Sequence, residues 1–457
     1  MPELRQFFRY VVPTMLFMFL GGLYSIIDGI FIGQATGEEG LAAVFVTFPL
    51  YCLIFGLGEL IGIGGCILIS QSRGAGDIHA ANKIFSGMIG LGTLAGVASL
   101  LVFYPLGRPL LVALGATPDL LPGAFSYISV ILFGATIMVL WVCLSSAIRN
   151  DDHPALAGWL IALGVLGNIV LDYVFIMRFG WGLPGAAWAT VVAELPPLIG
   201  GILFFASKKS NLTFQWRYFV PDWETASRIF RCGIPSFGAH VAIATMLLLH
   251  NWQSLRYGGE MALAAYAAIC TVESLTSMIM QGVANGIQPL VSFYYGAKEF
   301  AKNRLIGRYA ILFSLLLGVF GVLFSVLVCR RLPLMMGLEG ETAQIAARGL
   351  LISAAAFLTL GTIKVGSTFF QSTGRVVASA ILIYGDCVVL ALCLILLPIY
   401  FGLDGVWLAM PVSRMILVAM MIVLAYKPRG SVAKGDFSEV CAKTGVISRE
   451  ISTKRSC

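Results

Sequence analysis

Twelve apolar runs, each long enough to cross a lipid bilayer, follow one another along this chain, and most of the charged residues fall between them. A spanning helix needs about 20 predominantly apolar residues. On that scale the spans lie at 10–33, 41–69, 84–107, 123–147, 154–177 and 183–206. A second set lies at 228–254, 261–294, 306–329, 345–370, 376–401 and 403–426. Charged residues make up 12% of the chain, about half of what a soluble domain carries. The expected fold is an all-α integral membrane protein of twelve transmembrane helices.

Basic residues give the orientation. With the N-terminus placed in the cytoplasm, 22 Lys and Arg residues fall on the inner side and 6 on the outer, while Lys364 and Arg414 lie within spans. This asymmetry satisfies the positive-inside rule and puts both termini in the cytoplasm of a plasma (inner) membrane protein. It also accounts for the net charge of +7, which therefore carries no argument for nucleic acid. Met1 to Arg9 reads as a short polar lead into a full-length span, not as a cleaved signal peptide.

The chain repeats itself. A shift that sets Gly37 on Gly259 lays Gly37-Glu38-Glu39-Gly40-Leu41-Ala42-Ala43 over Gly259-Glu260-Met261-Ala262-Leu263-Ala264-Ala265. The same shift sets Pro13 on Pro235, Gly64 on Gly286, Ser70 on Ser292 and Gly74-Ala75 on Gly296-Ala297. Near the end of each half, a slightly shorter shift lays Gly182-Leu183-Pro184-Gly185 over Gly402-Leu403-Asp404-Gly405. Six spans per half is an even number, so the halves are parallel repeats, expected to form two lobes around a central cleft. The domains expected are an N-terminal lobe at 1–206, a cytoplasmic linker at 207–227, a C-terminal lobe at 228–426 and a cytoplasmic tail at 427–457. Trp216, Tyr218, Phe219 and Trp223 suggest that the linker lies at the inner interface.

A charge at mid-membrane is expensive, so each one needs a reason. The first half holds Asp28, Glu59, Asp172 and Glu194; the second holds His250, Glu273, Lys364, Asp386 and Arg414. Tyr24 and Asp28 are four residues apart and share a helix face, as do Asn168 and Asp172. Thr190 adds a hydroxyl. Two carboxylates, an amide, a hydroxyl and a phenol suit a hard cation such as Na+, or the acids can take up a proton. Glu59, Glu194, His250, Glu273, Lys364, Asp386 and Arg414 are candidates for the substrate path or for structural charge pairing.

These residues resemble the multidrug and toxic compound extrusion family. The likeness covers about residues 7–426 and rests on the two six-helix repeats, the Tyr-x-x-x-Asp of the first span, the Gly-x-x-x-x-Leu-Ala-Ala opening of the second, and the Gly-Ala exits. It is nearest to the prokaryotic branch with a cation site in the N-terminal lobe, and the matching positions are Tyr24, Asp28, Asn168, Asp172 and Thr190. Pro13 matches the proline at which the first helix of that branch bends. The other large branch uses acids in spans seven and ten, where this chain has none and carries Lys364 instead. The resemblance implies a monomeric antiporter exporting lipophilic, often cationic drugs in exchange for H+ or Na+, with no cofactor.

Two other functions compete with this reading. A lipid-linked oligosaccharide flippase would have more spans and several arginines along its cleft, against Lys364 and Arg414 here. A membrane enzyme such as an acyltransferase would need a His-acid or metal constellation. His79, His153, His240 and His250 form no HxxxH or HxxxxD arrangement, and the ten cysteines stand singly with no CxxC pair. No catalytic residue and no metal site beyond a Na+ at Asp28, Asn168 and Asp172 is expected.

Overall fold

Long apolar runs leave a backbone no partner but itself, so they coil into helices. The computed structural model describes residues 2–426, among which every regular element is helical; the expected tail at 427–457 lies outside the described residues. Six helices form the first half: α1 Pro2–Gly37, α2 Glu39–Gly74, α3 Ile78–Ala113, α4 Leu120–Asn150, α5 Pro154–Arg178 and α6 Gly182–Ala206. The second half has α7 (223–258) and α8 (260–296), α9 Phe300–Val328, a broken α10, α11 Val376–Phe401 and α12 Leu403–Tyr426. The α10 span is Gly340–Ala354 and Phe357–Ser372, bent by 47°. Each span expected from the sequence has its helix.

The turns from α1 to α2 and from α7 to α8 are single residues. Gly37 has φ 67° and ψ −163°; Gly259, its repeat partner, has φ 63° and ψ −159°. This region of backbone space is open essentially to glycine alone. The best-matched segment of the sequence repeat therefore marks the sharpest turn of each half.

The compact units do not divide where the repeat divides. One unit is Leu16–Ala244; the other joins residues up to Met15 with those from Thr245 onward. The cut passes through α1 just beyond Pro13 and through α7. Helical backbone runs unbroken through Pro13, since Gly37 is the one non-helical residue between Pro2 and Gly74. Thr14 donates its hydroxyl to the Tyr10 carbonyl at 2.7 Å beside it.

Glycines let the exchanged segments approach closely. In the first unit a Cβ on Gly233 of α7 would lie 1.8 Å from the Leu60 carbonyl oxygen of α2, and one on Gly64 would lie 2.3 Å from that of Ile229. In the second unit a Cβ on Gly286 of α8 would lie 2.8 Å from Val11 Cα, and one on Gly282 would lie 2.4 Å from Met15 Cα. Gly64 and Gly286 are repeat partners, so the same backbone contact is built twice.

The segment after α6 is strapped to the first unit. Backbone N–H groups of Asn211, Thr213 and Gln215 donate to Asp151, Asn82 and Ser86, each at 2.9 Å. Lys83 pairs with Asp222 at 2.6 Å. The Lys83 ammonium and the Thr225 hydroxyl and amide hold the Asp222 carboxyl well below the usual carboxylate range. Trp216 and Trp223 remain exposed, the placement expected of interfacial aromatics.

Candidate functional site

In the first unit, α1 presents Tyr24 and Asp28 one turn apart, α5 presents Asn168 and Asp172 in the same way, and α6 brings Thr190. Asp172 is fully buried, and Asn168 and Thr190 are buried with it. Asp28 and Asp172 lie close to each other, as do Tyr24 and Thr190. Asp28 Oδ1, both Asp172 oxygens and both polar atoms of the Asn168 amide are buried without a hydrogen-bond partner among the described residues. An unmet buried polar group costs about 1–3 kcal/mol, so this cluster is built for something other than stability. Two facing carboxyls cannot both be ionised without a cation between them, or a proton shared by them.

Local structure helps to aim these groups. Asp172 is the last α-helical residue of α5, and Tyr173–Arg178 continues as a π-helix. Such wide turns recur at functional sites. Glu194 interrupts α6 just ahead of Pro196 and Pro197, where the helix loses backbone donors. Its Oε2 is buried and unpartnered among the described residues.

Some members of this neighbourhood are not expected from the sequence. Tyr51 of α2 lies within electrostatic reach of Asp28 and Glu194, and Tyr127 of α4 within reach of Asp28 and Asp172. Nothing in a lone tyrosine inside an apolar run distinguishes it from an aromatic facing lipid. Glu194, followed by Leu-Pro-Pro inside a span, is the signal that could have led to them. Glu59 belongs elsewhere: it pairs with His240 of α7 at 3.2 Å, a partner the sequence does not suggest.

The second half has different chemistry at the repeat positions. The shift that sets Gly37 on Gly259 carries Asp28 to His250 and Tyr51 to Glu273; the one that sets Gly182 on Gly402 carries Glu194 to Arg414. His250 is buried, with Nδ1 3.0 Å from the Met246 carbonyl oxygen. Its ring stacks on Tyr266 at 5.0 Å, and Tyr266 stacks on Trp407 at 6.1 Å. Arg414 donates to Asp386 in a close ion pair. Lys364 donates to the Gln281 side chain at 2.9 Å, and Gln281 in turn donates to Asn285 at 2.9 Å. Glu273 lies within the field of Arg414, Asp386 and Lys364. The charges expected to offset one another thus gather in one place, and an amide also serves Lys364.

Comparison with known proteins identifies the family. A family model described as MatE matches residues 13–174 and 235–397. The two stretches begin at Pro13 and Pro235, which are partners in the internal repeat. The multidrug export protein MepA of Staphylococcus aureus is 26% identical over 448 residues, covering 96% of this chain and 97% of that protein. MepA of Staphylococcus saprophyticus is 25% identical, covering 94% of this chain and 96% of its own. Among solved structures, the outward-facing conformation of a multidrug resistance MATE family transporter of the MOP superfamily has a TM-score of 0.87 at 24% identity. It covers 92% of this chain and 94% of that chain. A Pyrococcus furiosus MOP superfamily transporter, described as having a binding pocket of reverse polarity that suggests a different function, has a TM-score of 0.84 at 25% identity. There the coverage is 92% and 95%.

Proposed function

The chain belongs to the MatE family, and on that premise we propose that it is a secondary active antiporter. It exports lipophilic, often cationic compounds in exchange for protons or sodium across the inner membrane. The 22-to-6 distribution of basic residues supports cytoplasmic termini. The relatives named for multidrug export support the substrate class. We take the working form to be a monomer.

The observation that carries the proposal is the facing pair, buried Asp172 and half-buried Asp28, with both Asp172 oxygens and Asp28 Oδ1 lacking a donor among the described residues. An incoming proton, or a sodium ion held by oxygens of both acids with Asn168, Tyr24 and Thr190 beside them, relieves their repulsion. Aromatic and methionine side chains supply adaptable apolar contact for organic cations. Exchange follows if ion and drug prefer different states of the protein, because each then shifts the population that the other needs.

Proteoliposomes loaded with a fluorescent organic cation test this directly. Proton and sodium gradients are imposed separately. One of them should drive uphill movement of the dye, and a protein that responds to neither gradient is not an antiporter of this kind.

A further inference from the structure

Glu59 and His240 are ionisable groups inside membrane helices that the coupling site does not use. Along α2, Glu59 lies about 30 Å from the Gly37 turn, whereas Asp28 lies about 13 Å from it along α1. The two acids therefore sit at different depths. Helix α2 carries Tyr51, Phe55 and Glu59 on successive turns. Tyr51 stacks on Phe55 at 6.3 Å, Phe55 meets the His240 ring edge-on at 5.2 Å, and His240 Nε2 lies 3.2 Å from Glu59 Oε2. The paired side chains are 19% and 16% exposed, largely shielded by the surrounding helices.

Around this pair the crossing of α2 with the first part of α7 is small and apolar. Gly56 faces Phe237, Leu60 faces Gly233, and Gly64 faces Ile229. The matching crossing, of α8 with the first part of α1, is built on Gly282 and Gly286. The repeat positions of Glu59 and His240 are Gln281 and Met18, and neither can titrate. A Glu–His pair is thus added at one of two matched crossings, at positions that are Gln281 and Met18 in the other.

We propose that Glu59 and His240 form a second proton-binding site, separate from Asp28 and Asp172, whose occupancy is linked to the seating of 223–244 on α2. The chemistry is a single protonation. Water gives one proton to the neutral imidazole, which becomes an imidazolium facing the carboxylate, and release returns that proton to water. The added positive charge strengthens the contact, so by reciprocity the seated contact favours the proton. Other ionisable groups around the pair are Arg149 of α4, Tyr51, the thiols of Cys66, Cys143 and Cys232, and Arg228 and Arg231 at the start of α7. Arg149 is buried, donates to Ser146 at 3.1 Å and reaches Glu59 through its field. Arginines stay charged at every working pH, so the imidazole is the member that changes. The proposal stands without the coupling role given to Asp28 and Asp172.

The test is NMR of 15N-labelled histidines in the full-length protein in lipid nanodiscs, with H240Q used to assign the His240 signal. That imidazole should pass between its neutral and charged states as pH is varied. In E59Q its midpoint should move by about tenfold in proton concentration. E59D, which keeps the charge, should restore most of the native midpoint and covers the case in which E59Q does not fold. Hydrogen-exchange protection of 223–244 should fall as pH rises in the native protein and not in H240Q. D28N should leave the midpoint in place. An imidazole that stays in one state, a midpoint indifferent to Glu59, or one that vanishes in D28N would each overturn the proposal.

Discussion

The two halves share a backbone plan and treat its polar positions in opposite ways. In the first half Asp172 is buried and Asp28 and Glu194 are half-buried, each with buried oxygen atoms left unpartnered among the described residues. In the second half the equivalents of Asp28 and Glu194 are His250, stacked on Tyr266, and Arg414, paired with Asp386. Unmet acids hold free energy in reserve for a ligand. In the second half a buried arginine meets an acid, and removing either partner would strand the other's charge. The same scaffold is built twice; its first copy brings two carboxyls close together, while its second sets an arginine against an acid. This contrast is the physical reason to place ion coupling in the first half and to give the second half a structural or substrate-shaping part.

The comparison can be broken most decisively at the acids. Asp28→Asn and Asp172→Asn should each bring gradient-driven efflux down to background while the protein remains inserted, and the double variant should be no worse than either. A single variant that still pumps at a near-native rate would dissolve the two-acid site. Next in size is the ion pair of the second half. Asp386→Asn removes the acid that pairs with buried Arg414 and should cost about 3–5 kcal/mol, read as a lower melting temperature in detergent. Adding Arg414→Gln should recover much of that loss. Lys364→Ala should change the range of compounds exported or the amount of protein, with gradient coupling intact; lost coupling at normal protein amount would move the ion site to the second half. The smallest effect sharpens the shared plan. Gly37→Ala and Gly259→Ala meet no steric obstacle at the new Cβ, so each should cost only the backbone strain of its positive φ, about 1–3 kcal/mol. Unequal losses in thermal unfolding would show that the two turns are not equivalent.

Hydropathy made the spans legible, because a bilayer allows few alternatives to a helix. The repeat matched Gly37 with Gly259, and the structure shows why: both make a turn in backbone space that only glycine readily enters. Asp28 and Asp172 stood out through their cost in hydrocarbon and through polar partners one turn away. Other features depend on packing between distant segments. Glu59 stands on the second helix and its partner His240 on the seventh, and no local pattern links them. Tyr51 and Tyr127 gain meaning only from the acids near them. The exchange of helix segments between the units was equally hidden, because Val11 and Gly286 meet through shape and carry no motif.

That exchange has a consequence for how the chain is made. Residues 2–15 leave the ribosome first, yet their partners in the same unit, Gly282 and Gly286, come only with the eighth helix. At about 5–20 residues per second, synthesis takes roughly 15–50 s to reach them. The stretch Leu16–Ala244, by contrast, is whole as soon as α7 is half made. Throughout that interval a newly inserted apolar segment waits beside a finished unit to which it does not belong. Lipid, or the insertion machinery, must keep it from settling there. A polypeptide ending after α6 would never release it, so neither six-helix half should mature alone.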